Sequence, residues 1–585
     1  MWKQVGHRTK SLASNAGERS GFALKSRVGF RHRPGVAQYH RSTKMHNEAL
    51  GTRLVLLSEF DAVCKNSSWQ IPSYAIKDWL RTAKRLRILL LWTLAGICFV
   101  PFSAPAQPGI PLWTNCYNGS GNGSDNASAV AVDSSGNVYV TGSSRGSGTR
   151  LEYATVAYSS TGAPLWTNGY AGTGNFDDST KALVANGGHV YVTGSCSGLG
   201  SFFDYATLAY SAAGAPLWIN RYRGFDTGLT WPGGIAADKN NGNVYVTGFS
   251  PSIAGDWDYL TIAYSSSGAP LWTNRYAGNG QAVAVAVAGN GNVVVTGTSN
   301  HRYVTIAYSD AGAPLWTNFY TALGNTDNAS GLTIDTSGNV YVTGSSLLTG
   351  GGYDFATVAY SSTGTALWTN RYDGPIHGDD SAAAVAVDSN GQVYVTGSSA
   401  GFTDSDYVTI AYSSAGMALW TNRYDGSGHG YDEARGLVVD DSGNVYVTGL
   451  SYNSSNNYDY ATIAYSSAGV PLWTNLYNGT GNGDDLAQAI TIDDGGNVLV
   501  TGSSVGSGGN TDFVTIKYAG QGPRPVPIPI QMQWVGNELR LSWTNTAFLL
   551  QSAPSATGPF TNVAGATSPH SQFIAGPQQF FRLKW

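Results

Sequence analysis

The sequence predicts an all-β protein: an eight-bladed β-propeller of four-stranded blades, closed by an N-terminal strand in the last blade, with a small β-sandwich-like module after it. Three observations lead there. Leu-Trp recurs at Trp113, Trp166, Trp218, Trp272, Trp316, Trp368, Trp420 and Trp473, at spacings of 53, 52, 54, 44, 52, 52 and 53 residues. All but one of these pairs precede Thr-Asn. The 585 residues include 75 Gly and only 12% are charged, a composition unlike that of a helical enzyme. Each unit also splits into four runs of strand-forming residues separated by turn formers.

The unit at 380–424 shows the four strands in order. Ala-Ala-Val-Ala-Val-Asp alternates small and branched residues, and Gln-Val-Tyr-Val-Thr-Gly is rich in β-branched and aromatic side chains. Tyr-Val-Thr-Ile-Ala-Tyr-Ser and Ala-Leu-Trp-Thr-Asn-Arg-Tyr follow. Asp-Ser-Asn-Gly and Ser-Ser-Ala-Gly between them are tight-turn sequences, where Gly, Asn and Asp tolerate the backbone angles required. The first unit is only a fourth strand, Pro111 to Asn115, and the last stops at a third strand, Thr511 to Tyr518. The two ends should therefore complete one blade and leave no free edge.

With its core D-x-A-x-A-V-A-V-D-x-x-G-N-V-Y-V-T-G, the unit resembles the SBBP-type β-propeller repeats of bacterial proteins, over residues 110–520. The resemblance implies an extracytoplasmic propeller and little chemistry; the family's name suggests seven blades, against the eight counted here. The hairpin Ala157 to Trp166 is also similar to the Trp-docking motif of eight-bladed quinoprotein dehydrogenases. It is one residue shorter, it lacks the motif's acidic residue, and no vicinal Cys pair is present. That likeness implies shared blade architecture without a bound quinone.

Outside the repeats the chain changes character. Residues 1–80 are basic and aperiodic, and read as a mis-assigned or disordered extension. Residues 81–106 read as a signal peptide: Arg81, Lys84, Arg85 and Arg87, then the apolar stretch Ile88 to Val100, then Ala104-Pro105-Ala106. That apolar stretch is too short for a comfortable membrane span, so no transmembrane segment is expected in the mature chain. The propeller spans 107–519, a Pro-rich linker 520–530, and residues 531–585 a small module similar to fibronectin-type-III-like tails. Leu539, Leu541 and Trp543 alternate in one of its strands.

Charge and cysteine content exclude several function classes. Residues 1–106 carry 17 of the 33 Lys and Arg but five of the 37 Asp and Glu, a balance of +12. The remainder balances at −16, which repels phosphates and argues against a nucleic-acid partner. Beyond residue 106 only Cys116 and Cys196 remain, in different blades, neither a disulfide framework nor a metal motif.

Features that recur in every blade are expected to be structural, so the eight Trp residues should pack between blades. Asp125, Asp177, Asp327, Asp380, Asp432 and Asp485 precede the first strand and could collect Ca2+ at a channel mouth, or satisfy backbone donors there. A second acidic series begins the third strand. Four of its members, Asp204, Asp258, Asp354 and Asp406, precede Arg221, Arg275, Arg371 and Arg423 by 17 residues, which predicts directly opposed cross-strand ion pairs. Each is worth about 0.2–1 kcal/mol if exposed.

Departures from the repeat are the candidates for function. Trp231, Trp257, Phe202 and Phe203 interrupt it on the face carrying the long loops, where an aromatic cluster could stack on a sugar or grip a peptide. His377 and His429, each three residues before Asp380 and Asp432, could hold a metal; polar turn residues explain them equally well.

The expected function is therefore that of an exported, monomeric recognition scaffold at the cell surface, in the periplasm or outside the cell. It would bind a glycan, peptide or matrix partner through its variable-loop face, without a cofactor or catalysis. A structural spacer, and a carbohydrate-active or quinone-dependent enzyme, are the alternatives. N-terminal sequencing of the exported protein is expected to begin at Gln107; a start upstream of Arg81 would remove the leader from the account.

Overall fold

The computed structural model describes residues 107–584 except 147, 149, 199–202, 225–228, 254, 325, 350, 521–529, 536–537, 544–548, 554–559, 564 and 573–579. The leader over 81–106, the extension before it, Phe202 and most of the Pro-rich segment lie outside the described residues.

Eight four-stranded antiparallel sheets follow one another along the chain in a propeller-like arrangement. Sheet one comprises Asn126–Val132, Val138–Arg145, Leu151–Tyr158 and Pro164–Tyr170, paired in that order. Sheets two to eight begin at Ser179, Trp231, Gly280, Asp327, Asp380, Glu433 and Asp485. Sheet eight takes its fourth strand from the other end of the chain: Pro111–Tyr117 pairs antiparallel with Thr511–Tyr518, Trp113 opposite Lys517 and Tyr117 opposite Phe513. The first strand of each sheet contacts the first strands of the sheets before and after it, and that of sheet one contacts that of sheet eight.

Burial explains the strand compositions. Second strands such as Val138–Arg145 are buried along nearly their whole length, so both faces want Val, Tyr and Thr. Their Thr hydroxyls meet those of the third strands in every sheet, from Thr193–Thr207 at 3.3 Å to Thr501–Thr515 at 2.9 Å. Fourth strands alternate: Trp113, Asn115 and Tyr117 are half-buried, while Leu112, Thr114 and Cys116 are exposed. Each first strand carries a bulge, as between Ala127 and Ala129, which adds local twist at the inner edge.

The Trp-x-Asn pair joins neighbouring sheets. Trp166 lies between Tyr139 of its own sheet and Tyr210 of the next, at centroid distances of 5.8 and 5.7 Å. Its indole N–H donates to Ala212 O at 2.9 Å, and Asn168 Nδ2 donates to Gly214 O at 2.8 Å. Gly214 is the left-handed residue of the next sheet's last turn (φ +84), and a Cβ there would lie 2.5 Å from the Trp166 ring. The same clasp joins Trp368 and Asn370 to Ser414 and Gly416.

At the seam the turn is split between the two chain ends. Asn475 Nδ2 donates to Gly109 O at 2.6 Å, and Trp473 lies against Gly109 (φ +80). Trp473 Nε1 has no partner among the described residues.

Beyond the linker, two three-stranded sheets form a separate small core. One pairs Gln531–Val535, Glu538–Ser542 and His570–Gln572, the other Thr561–Asn562, Leu549–Ala553 and Phe580–Lys584. Leu539, Leu541, Trp543 and Leu550 are buried between them.

Gly416→Ala is expected to cost about 2 kcal/mol or more, from left-handed strain and the clash with Trp368. Asn370→Ala is expected to cost about 1 kcal/mol, one hydrogen bond. Equilibrium urea unfolding reads both, and the reverse order would contradict the clasp as described.

Candidate functional site

The acidic positions before the first strands serve the backbone. Asp125 accepts from the amides of Gly119 and Arg145, Asp380 from Gly374 and Ala400, Asp432 from Gly426 and Tyr452, and Asp485 from Gly479 and Val505. Asp327 holds Ala322 N and the Ser346 hydroxyl. All five are fully buried. In sheet two the sequence assignment is off by one: Asp178, at 2% exposure, clips Gly172 and Ser197, whereas Asp177 is exposed and accepts from Leu151 N. The Asp-Asp dipeptide offered two registers, and the distance to the bulged Ala chooses between them. Burial raises the carboxyls of Asp380, Asp432 and Asp485 above the usual range, against the lowering effect of the hydrogen bonds they accept.

The four Asp–Arg pairs form at 2.8 Å (Asp204–Arg221), 3.2 Å (Asp258–Arg275), 2.7 Å (Asp354–Arg371) and 2.7 Å (Asp406–Arg423). They are diagonal, not directly opposed: Arg221 faces Ala206 and Arg371 faces Ala356. The last turn and its adjoining bulge shift the register by two residues, which keeps Asp and Arg on one face. Nor are they exposed, since the Asp side chains are 5–13% accessible and the Arg side chains 23–26%. Arg371 also donates to Tyr320 Oη in the preceding sheet and to Ser346 O, so it ties two sheets together. In sheet four Arg302 lies 4.0 Å over the Phe319 ring, a cation–π contact in place of the ion pair.

His377, Asp380, His429 and Asp432 do not converge. His377 Nδ1 meets Asp373 at 2.6 Å and His429 Nδ1 meets Asp425 at 2.8 Å, both rings largely exposed. These carboxylates raise the imidazoles above their usual range. Both His residues are left-handed (φ 55 and 48), as are Asn122 and Asn482 at the same turn position (φ 49 and 49). Carboxylate oxygens do gather in two separate trios, Asp354–Asp373–Asp380 and Asp406–Asp425–Asp432, each within 4.8 Å. In the first, Asp354 is neutralised by Arg371 and Asp380 is occupied by backbone amides.

The aromatic departures divide into two stacks. Phe203 packs on Trp231 at 5.7 Å and on Phe176 at 6.1 Å. Trp257 meets Phe249 edge-on, at 4.9 Å and 88°. Trp231 opens the first strand of sheet three and Trp257 its third, with the strand carrying Phe249 between them. Phe203 and Trp231 therefore form one stack and Trp257 another, while Phe202 lies outside the described residues.

Trp257 instead lines a cavity of about 370 Å³ over sheet four, with Asn279, Gln281, Asn300, His301 and Asn328. The cavity lies where the loops are shortest. In sheet four, Ser299 pairs directly with Arg302 across Asn300-His301, whereas Val505 and Thr511 of sheet eight flank residues 506–510. The preceding connection is short as well, three residues (277–279) between Tyr276 and Gly280. Loops of normal length on either side leave a notch. Long loops were the sequence criterion for a binding face, and it pointed past this place; the 44-residue spacing between Trp272 and Trp316 was the available signal.

A β-propeller repeat family model, SBBP, matches residues 117–148 and 316–347. No curated protein sequence matches the chain. Sqt1 from Chaetomium thermophilum is similar in structure at 11% identity, over 70% of this chain and 98% of that one, with a TM-score of 0.46. The periplasmic gluconolactonase PpgL of Pseudomonas aeruginosa (11% identity, 61% and 87%, TM-score 0.34) is similar as well. So is the polysaccharide lyase Uly1 (10%, 58% and 89%, 0.37).

Arg371→Met is expected to cost about 2 kcal/mol, because it leaves the buried Asp354 carboxylate without its cation. A chelator is expected to leave the thermal midpoint of the native chain within about 1 °C, since each trio already has internal partners. A large fall on chelation, read by calorimetry, would establish a bound cation there.

Proposed function

We propose that this β-propeller repeat protein is an exported recognition scaffold that binds its partner through the variable-loop face. The eight sheets are then the blades of one closed propeller, supported by the unbroken cycle of contacts between first strands. Export rests on the leader-like segment ending at Ala106. A cut after Ala106 would keep Gly109, the residue clasped by Asn475, and every residue of the closing strand. The pair of small sheets over 531–585 fits a fibronectin-III-like appendage.

The observation that carries the binding reading is the notch beside Trp257. It sets one aromatic wall against several polar side chains carried by strands and tight turns, in a hollow of small-molecule size. Hydrolysis is the less favoured use. Glycoside chemistry needs two carboxyl groups flanking the bond, and none lines this cavity among the described residues. Asp354 and Asp406 are engaged by Arg, and Asp380 and Asp432 by backbone amides.

Thermal unfolding of the full chain against a panel of glycans, peptides, divalent cations and quinone tests this reading, because a ligand of the native state must raise the midpoint. The expected shift disappears in Trp257→Ala and persists in Met417→Ala, an exposed residue of a last-hairpin turn on the opposite face. A shift that is lost only in the Met417 variant would place binding on the wrong face. A flat response to the whole panel would favour a structural spacer.

A further inference from the structure

We propose that the notch over sheet four is a subsite for a neutral pyranose sugar, as a mono- or disaccharide unit. The inference rests on reading the loop face as the binding surface, and names the ligand class for it.

The unused hydrogen-bonding capacity of the cavity is the first reason. The side-chain amides of Asn279, Gln281, Asn300 and Asn328 line it and are exposed, and none makes a hydrogen bond within the protein among the described residues. An amide offers two donors and an acceptor, which matches hydroxyl groups that themselves both donate and accept. Four amides around one hollow therefore suit a ring carrying many hydroxyls. Thr298, also in the lining, is already engaged, accepting from Ala329 N.

Trp257 supplies the second reason. Its indole forms part of the wall and is held edge-on by Phe249, so its orientation is set before a ligand arrives. A flat, half-buried indole with a C–H-rich ring packed on it gains buried apolar area without costing either partner a hydrogen bond. At about 370 Å³ the hollow lies near the lower end of small-molecule sites, roughly 300–1,000 Å³.

Charge narrows the class. No Lys, Arg, Asp or Glu lines the cavity among the described residues, and His301 is its one titratable side chain, so a uronate, a sulfated sugar or a charged peptide would find no permanent counter-charge there. An uncharged peptide fits less well too. Strand addition needs a free sheet edge, and the first strand of sheet four, Gly280–Val287, is paired on one side and flanked by neighbouring sheets on the other.

Titration calorimetry of the full chain with maltose, cellobiose, lactose and N,N′-diacetylchitobiose tests the assignment, beside digalacturonate and an uncharged peptide. At least one neutral disaccharide is expected to saturate. Trp257→Ala and Asn300→Gly, the latter keeping the left-handed backbone (φ 48), are each expected to weaken it about tenfold or more with an unchanged thermal midpoint. Neutral sugars that fail to bind, while digalacturonate or the peptide binds in a Trp257-dependent way, would overturn the ligand class and leave the face intact. Sugar binding indifferent to both variants would overturn the site. Silence from every probe, sugars included to about 50 mM, would overturn this inference and remove support from the binding reading together.

Discussion

In one sheet after another, an Asn side chain donates to the carbonyl of a left-handed glycine in the next sheet, while a Trp two residues earlier lies flat against that glycine. Asn115 with Gly162, Asn318 with Gly364 and Asn422 with Gly469 repeat the geometry at 2.7–2.8 Å. The contact works because glycine serves two purposes. It adopts a backbone angle that costs other residues about 1–2 kcal/mol, and it leaves room for the indole where a Cβ would stand. In six of the eight sheets the Trp is flanked by a tyrosine on each side, and Trp113 and Trp316 have one on the next sheet alone. Inter-sheet geometry, and with it the position of every loop on the opposite face, follows from this contact.

The seam shows what happens when the turn is cut. Gly109 and Asn475 rebuild the carbonyl contact across 366 residues of chain, but the Trp473 indole N–H loses its acceptor. Sheet eight carries a second departure on its other side. Lys517 stands where the other third strands have Ala, and Leu499 where most second strands have Tyr. In sheet one Tyr139 donates to Asp133; in sheet eight Asp493 meets the Lys517 ammonium at 2.7 Å, and Lys517 also donates to Ser160 O of sheet one. Both charges are about 95% buried, so each depends on the other for its solvation. The ion pair lies within sheet eight, and the Lys517 ammonium carries it across to sheet one, a polar contact beside the loop of residues 118–125 that joins the two sheets.

Much of this was legible because repetition averages out local ambiguity. A single run such as Val-Tyr-Val-Thr-Gly is a weak strand signal, but eight occurrences in register leave one architecture that buries them all. The pairing of the two chain ends was readable from an orphan Leu-Trp-Thr-Asn at one end and a missing one at the other. What failed was register at one-residue resolution. Asp177 was chosen over Asp178, and the Asp–Arg pairs were drawn straight across a hairpin whose bulge makes them diagonal. Bulges arise from the curvature of the whole sheet, and no local sequence pattern marks them.

The candidate site was the least legible part. Sequence alone picked Trp257 from its break with the repeat, and grouped it with Trp231, Phe202 and Phe203 because all four fall on the long-loop face of two neighbouring units. The structure stacks Trp257 apart from Trp231 and Phe203 and places it beside Asn279, Asn300 and Asn328, which come from three separate turns and strands. By itself the sequence determined the strand order, the number of repeats, the joining of the two ends and the Trp residues that pack between one sheet and the next. These depend on contacts of fixed offset, and an offset is visible in a string of letters. Only the tertiary structure decided where the surface is hollow, because a hollow is made by the absence of residues in one repeat measured against the height of its neighbours.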